Sequence, residues 1–242
     1  MTFPDHCLQM VTGDWWESAP SHAVSFGTLL EVFVHHMDKL PVQLIPEGRV
    51  ESTVHGQARM KAIPYNIRRH MQRPPVPVAA LPTYPGDSYI ALRGKVRPAL
   101  VVGADFSPIS EEVRQRHLDW QTAPVFLVAP FYGVERTDDR NGFRPEFVER
   151  VQKAYYKQFL WDKLPPAALQ LCTSGSREGS MLRLDHITPI GSDPGFYRNT
   201  GHRLNEDGVR LLKEWLEWVW FNDMDEESFL LGFRSQFLPV SE

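Results

Sequence analysis

Two cysteines in 242 residues, Cys7 and Cys172, are too few and too far apart for a disulfide framework, and they fit a reducing cytoplasm. No apolar run approaches the roughly 20 residues that span a bilayer. The first ten residues, MTFPDHCLQM, lack the cationic start and apolar stretch of a signal peptide. A cytoplasmic location with no membrane partner is therefore expected. Excess positive charge is missing too. The net charge of −4 gives no whole-molecule attraction to nucleic acid, so such binding needs a local patch. The common catalytic signatures are also absent: no G-x-S-x-G elbow, no phosphate loop, no G-x-G-x-x-G. His6-Cys7 has no second ligand pair at zinc spacing, and the adjacent His35 and His36 would face different ways on a helix. No metal and no cofactor are expected.

Proline is abundant instead, with 20 residues clustered at the joints between segments. The densest cluster, RPPVPVAALPTYP, favours extended chain and reads as a linker over 74–85. Residues 1–73 before it read as a helical segment. Phe26, Leu29, Leu30, Phe33, Val34 and Met37 fall on one face at helical spacing, up to Pro41. ARMKAIPYNIRRHMQR, with Arg59, Lys61, Arg68, Arg69, His70 and Arg73, is a second helix candidate.

After the linker the character changes. DSYIALRGKVRPALVV reads as a hairpin turning at Arg93-Gly94-Lys95. A polar helix is expected over 107–120, a buried strand over 123–134, a helix over 146–163 and a strand over 179–191. Asn205 caps a last helix whose apolar face is Leu212, Trp215, Leu216 and Val219. The main domain thus runs over 86–222, and 223–242 forms an acidic C-terminal tail.

Four stretches of that domain resemble the MazF/PemK/Kid toxin family, which is related in fold to CcdB. Pro85-Gly86-Asp87 is similar to the Gly-Asp opening of the family's first strand. Arg97-Pro98-Ala99-Leu100-Val101-Val102 is the most specific match. Leu127-Val128-Ala129-Pro130 is similar to the strand that follows in the family, and Met181 to Ile190 to its strand carrying an Arg-x-Asp spacing. The resemblance covers about 84–220. It implies an α+β fold: an SH3-like β-barrel with added N-terminal and C-terminal helices, and a homodimer. It also implies metal-independent cleavage of single-stranded RNA, in which the 2′-hydroxyl attacks the adjacent phosphate and leaves a cyclic phosphate. An antitoxin or another protein would be a partner.

Carried over by motif, the catalytic candidates are Arg97, Arg183 and Asp185, the last two matching the family's Arg-x-Asp pair of acid and base, and the substrate-contact candidates are Tyr132, His186 and Lys95. The residues suit the chemistry. Guanidinium binds phosphate oxygens through paired hydrogen bonds that lysine cannot copy. On a strand Arg183 and Asp185 share one face, which sends His186 to the other. The sequence departs from the family at three places. Asp87 stands only ten residues before Arg97, so the family's long first loop is nearly absent. Tyr132-Gly133 stands where the family has hydroxyl residues, and His186 replaces a glutamine. A rim salt bridge for Arg97, a cross-strand ion pair for Arg183 with Asp185, and a non-catalytic binding barrel, including a topoisomerase inhibitor of the CcdB kind, are the alternatives.

Overall fold

The structure is a computed structural model of the chain. It describes residues 7–20, 22–68, 87–104, 106–107, 109–114, 122–135, 141–165 and 179–237. The expected linker over 74–85 and Cys172 lie outside these residues, as do Arg69, His70, Arg73 and the 115–120 part of the polar helix candidate. In chain order the first elements are α1 (Leu8–Thr12), β1 (Trp16–Ser18), β2 (Thr28–His35), β3 (Val42–Arg49), β4 (Ala58–Pro64) and β5 (Tyr89–Ala91). Next come β6 (Gly94–Gly103), α2 (Glu111–Arg114), β7 (Val125–Gly133), α3 (Pro145–Gln152), β8 (Phe159–Asp162) and β9 (Ser180–Arg183). A 3₁₀ turn, Leu184–His186, leads to β10 (Thr188–Gly191), β11 (Tyr197–Leu204), α4 (Glu206–Phe221) and α5 (Phe229–Phe237). The fold is α+β with antiparallel sheet pairing.

The chain divides into two compact units: Met1–Phe33 with Val96–Glu242, and Val34–Lys95. The smaller unit contains a three-stranded sheet in the order β4-β3-β5. Two expected helices are therefore strands. Residues 58–64 pair with β3. Residues 28–35 form β2, buried at six of its eight positions. A strand covered on both faces is apolar almost throughout, so a subset of its residues matches a helical face by default. Among the described residues of the expected helical segment 1–73, α1 is the one helix. The expected hairpin also differs, because β5 pairs with β3. The hydrogen-bonded neighbours of β6 are β2 and β7. Only Leu92 and Arg93 separate β5 from β6, but the two strands belong to different sheets.

In the larger unit the strand order is β1-β11-β2-β6-β7-β9-β8, with β10 also on β7. Strand β7 is the branch point. Its second half pairs with β9, from Phe131↔Leu182 to Gly133↔Ser180, and its first half pairs with β10, from Thr188↔Val128 to Gly191↔Val125. Residues 183–187 therefore stand opposite only Ala129 and Pro130. The amide of Val134 donates to the Gly179 carbonyl on this edge. Amides two residues apart face the same edge, so the nitrogen of Pro130 points there too, and it has no hydrogen to donate. The ladder breaks where no donor exists, and the expected single strand over 179–191 becomes strand, turn, strand.

Alternation along these strands fills two clusters on opposite faces. Leu100, Phe131, Leu160 and Leu182 pack with Leu211, Leu212 and Trp215 of α4. Trp161 and Met181 point the other way and pack with Val151 of α3, backed by Phe147 and Phe159. Helix α4 begins as expected, with the Asn205 side chain accepting from the Gly208 amide at 2.9 Å. Helix α3 is shorter than expected. It stops at Gln152, Ala154 takes a left-handed φ of 55°, and Phe159–Asp162 joins the sheet as β8. The acidic tail holds α5, whose Arg234 lies 4.1 Å over the Trp218 ring and donates to the Ala154 carbonyl at 2.9 Å.

Asp162 closes the core at the end of β8. Its Oδ1 accepts from the indole nitrogens of Trp15, at 3.1 Å, and Trp16, at 3.2 Å, and from the Gln9 amide. Only 1% of Asp162 is exposed. Burial pushes its carboxyl up from 3.8 to about 7, against the three donors, which favour the anion. The folded state therefore holds the proton more tightly than the unfolded chain. That stability is fully present below about pH 4 and is lost as pH rises to about 7. Urea denaturation of the parent across this range should show the fall, and Asp162→Asn should flatten it by a few kcal/mol relative to the parent, since roughly 1.4 kcal/mol attends each pKa unit.

Candidate active site

Strand register brings the carried-over residues together. The β6–β7 pairing sets Ala99 opposite Pro130. Two residues back along β6 and two forward along β7, Arg97 and Tyr132 meet on one face, with the Arg97 Cζ 4.2 Å from the Tyr132 ring centroid. Tyr132 is opposite Met181. Arg183, two residues on from Met181, emerges on the same face opposite Phe159. The Arg183 Cζ is 5.6 Å from the Tyr132 centroid and 4.9 Å from that of Phe159. Pro98, between Arg97 and the apolar run, is buried and fixes the backbone where the strand enters the core.

The 3₁₀ turn completes the group. Residues three apart eclipse in a 3₁₀ turn, so His186 returns to the face of Arg183 while Leu184 is buried behind them. His186 is thus not on the opposite face, as strict strand alternation predicts. Arg183 holds Asp185 in a fork, Nε to Oδ1 and Nη2 to Oδ2, both at 2.7 Å. Its Nη2 also meets His186 Nε2 at 2.7 Å, and His186 Nδ1 lies 3.0 Å from the Tyr132 hydroxyl. The imidazole stands edge-on to the phenol, with centroids 5.6 Å apart.

The donors fix the proton positions. Guanidinium can only donate, so His186 Nε2 accepts. The neutral imidazole then carries its hydrogen on Nδ1 and donates it to the Tyr132 oxygen. The phenol's own proton is not used in that bond. Burial alone would raise the Asp185 carboxyl. The Arg183 hydrogen bonds and charge outweigh it and hold Asp185 below the ordinary carboxylate range. Asp185 is ionised at neutral pH, and with its side chain 40% exposed it remains reachable from solvent.

No family model, curated protein or solved structure matches the chain. The site therefore stands on its own geometry.

Five of the six expected site residues, Arg97, Tyr132, Arg183, Asp185 and His186, form this one constellation. Lys95 is exposed on β6, two residues before Arg97. Phe159, which backs Arg183, was not a candidate, because its apolar spacing places it on the stripe of an expected helix. Among the described residues no group of three His, Cys, Asp or Glu side chains could hold a metal ion. Cys7 is a buried free thiol whose burial raises its pKa. Long-range ¹H–¹⁵N spectra should show His186 with a protonated Nδ1 and a pyridine-like Nε2 at neutral pH. The opposite tautomer would contradict the Arg183 contact.

Proposed function

We propose that this chain is a metal-independent endoribonuclease of the MazF/PemK kind, acting on single-stranded RNA. The observation that carries the reading is the rim on which two guanidiniums flank one tyrosine ring while a carboxylate and an imidazole engage one of them. The three best-matching stretches of sequence are also adjacent strands, in the order β6-β7-β9. An SH3-like barrel is the finer fold that goes with this reading.

The chemistry follows from the groups present. Arg183 commits Nε and Nη2 to Asp185 and His186, which leaves the two hydrogens of Nη1 for phosphate oxygens. Arg97 adds a second positive charge from β6. Together they stabilise the extra negative charge of the phosphorane. Asp185, already ionised, takes the proton of the 2′-hydroxyl. The 2′-oxygen attacks phosphorus, the bond to the 5′-oxygen breaks, and the products are a cyclic phosphate and a 5′-hydroxyl end. Tyr132 and His186 line the substrate side of the same rim.

A second reading has an observation in its favour. The fork between Arg183 and Asp185 satisfies both partners, as a structural ion pair on the rim of a non-catalytic RNA- or protein-binding barrel would. One experiment separates the two: incubation of purified protein with a long unstructured RNA in EDTA, beside Arg97→Ala and Arg183→Ala. Cyclic-phosphate ends from the parent, reduced about 10²- to 10³-fold in each variant, are the expected result, matching the usual cost of losing one donor to developing charge. Retained RNA binding without cleavage, with all three proteins folded by circular dichroism, would establish the binding barrel instead.

A further inference from the structure

Cleavage by 2′-hydroxyl attack moves two protons, and the groups above account for one. The leaving 5′-oxygen must gain a proton as its bond to phosphorus breaks. The resemblance implies Arg183 as this acid, but a guanidinium holds its proton too tightly in proteins to be the better donor, and the same holds for Arg97. Asp185 is ionised and receives. His186 carries one hydrogen, on Nδ1, and that hydrogen is directed at the Tyr132 oxygen 3.0 Å away.

The remaining acid on this rim is the Tyr132 phenol. We infer that Tyr132 is the general acid that protonates the leaving 5′-oxygen, and that His186 is a positioning residue that orients the phenol and steadies the phenolate it leaves. This inference rests on the ribonuclease reading. Three features prepare the phenol for the role. The His186 N–H points at the oxygen that becomes negative. The Arg97 guanidinium lies 4.2 Å from the ring centroid and that of Arg183 lies 5.6 Å from it, so two cations lie over the ring into which a phenolate spreads its charge. Arg183 in turn holds Nε2 of His186, which keeps the imidazole hydrogen on the Tyr132 side.

The step balances without a further reactant. The bond from the 2′-oxygen to phosphorus forms as the 2′-hydroxyl proton passes to an Asp185 oxygen. The bond from phosphorus to the 5′-oxygen breaks, its electron pair stays with oxygen, and the phenol proton passes to it. Protonated Asp185 and the Tyr132 phenolate then return to their starting states by proton exchange through water.

A leaving-group test isolates this role. The substrates are an RNA with one ordinary linkage at the cleavage site and the same RNA with a bridging 5′-sulfur there. A thiolate leaves without needing a proton. Tyr132→Phe keeps the ring for both guanidiniums and removes the hydroxyl, and with it the acid and the acceptor of the His186 hydrogen. It should cut the rate on the ordinary linkage by about 10²- to 10⁴-fold, the usual contribution of general acid catalysis, and leave the rate on the sulfur linkage near that of the parent. His186→Ala should show a smaller loss on the ordinary linkage that is likewise restored by sulfur. An equal loss on both linkages, or no loss on the ordinary one, would overturn the assignment of Tyr132. A His186→Ala loss that persists on sulfur would overturn its positioning role. Failure of the parent to cleave either substrate is a separate result. It would bring down the ribonuclease reading, and this inference with it.

Discussion

Pro130 offers no hydrogen to the strand edge it faces, and the site is arranged around that gap. Strand β9 pairs with β7 up to the gap and β10 pairs beyond it. Five residues of the incoming chain must be accommodated opposite two, and they do so as a tight turn. That turn brings Asp185 and His186 beside Arg183. A continuous ladder would have sent His186 into the opposite face of the sheet. One missing amide hydrogen thus allows five side chains, on strands β6, β7 and β9 and the turn, to meet at one rim.

The polar group is assembled from residues that alternate with the core. Arg97 is followed by buried Pro98, Tyr132 is preceded by buried Phe131, and Arg183 follows buried Leu182. Each site residue is therefore held by a neighbour with little freedom, which is how a site on strands keeps its geometry better than one on loops. Helix α3 adds support from the side. Phe147 packs edge-on against Phe159 at 5.5 Å, and Phe159 lies under the Arg183 guanidinium. Phe147 and Phe159, from the stretch between β7 and β9, thus back the site while Asp185 stays open to solvent.

Much of the site was legible in the sequence, and less of the surrounding fold. RPALVV and LVAP are short apolar runs with one reading each, and both are strands. Asn205 and the acids after it mark a helix start that the structure keeps. Residues 28–35 misled because a strand buried at six of its eight positions has no polar face to show its period. Phe159 to Asp162 misled because Val148, Val151 and Tyr155 continue a helical spacing that the backbone abandons at Ala154. Arg183 and Asp185 were expected as a pair on a strand, and they are a pair, but one made across the start of a turn. His186 could not be placed from alternation alone. The signal for it was Pro130, more than fifty residues away, whose effect depends on a register that no local pattern encodes. The partner of the Arg97 strand was hidden in the same way, since β2 and β6 are separated by a whole unit.

The Asp162 anchor also bears on the order in which the chain can fold. Its three donors, on Gln9, Trp15 and Trp16, precede it by 146 to 153 residues. During synthesis the N-terminal segment emerges with two large indoles and no acceptor for them. It waits while 146 further residues are added. Strand β1 waits longer still, because its pairing partner is β11, near residue 200. Contacts this distant in sequence close late and slowly. Trp15 and Trp16 are therefore made early and secured late, and until Asp162 arrives their indole nitrogens lack the acceptor that holds them in the fold.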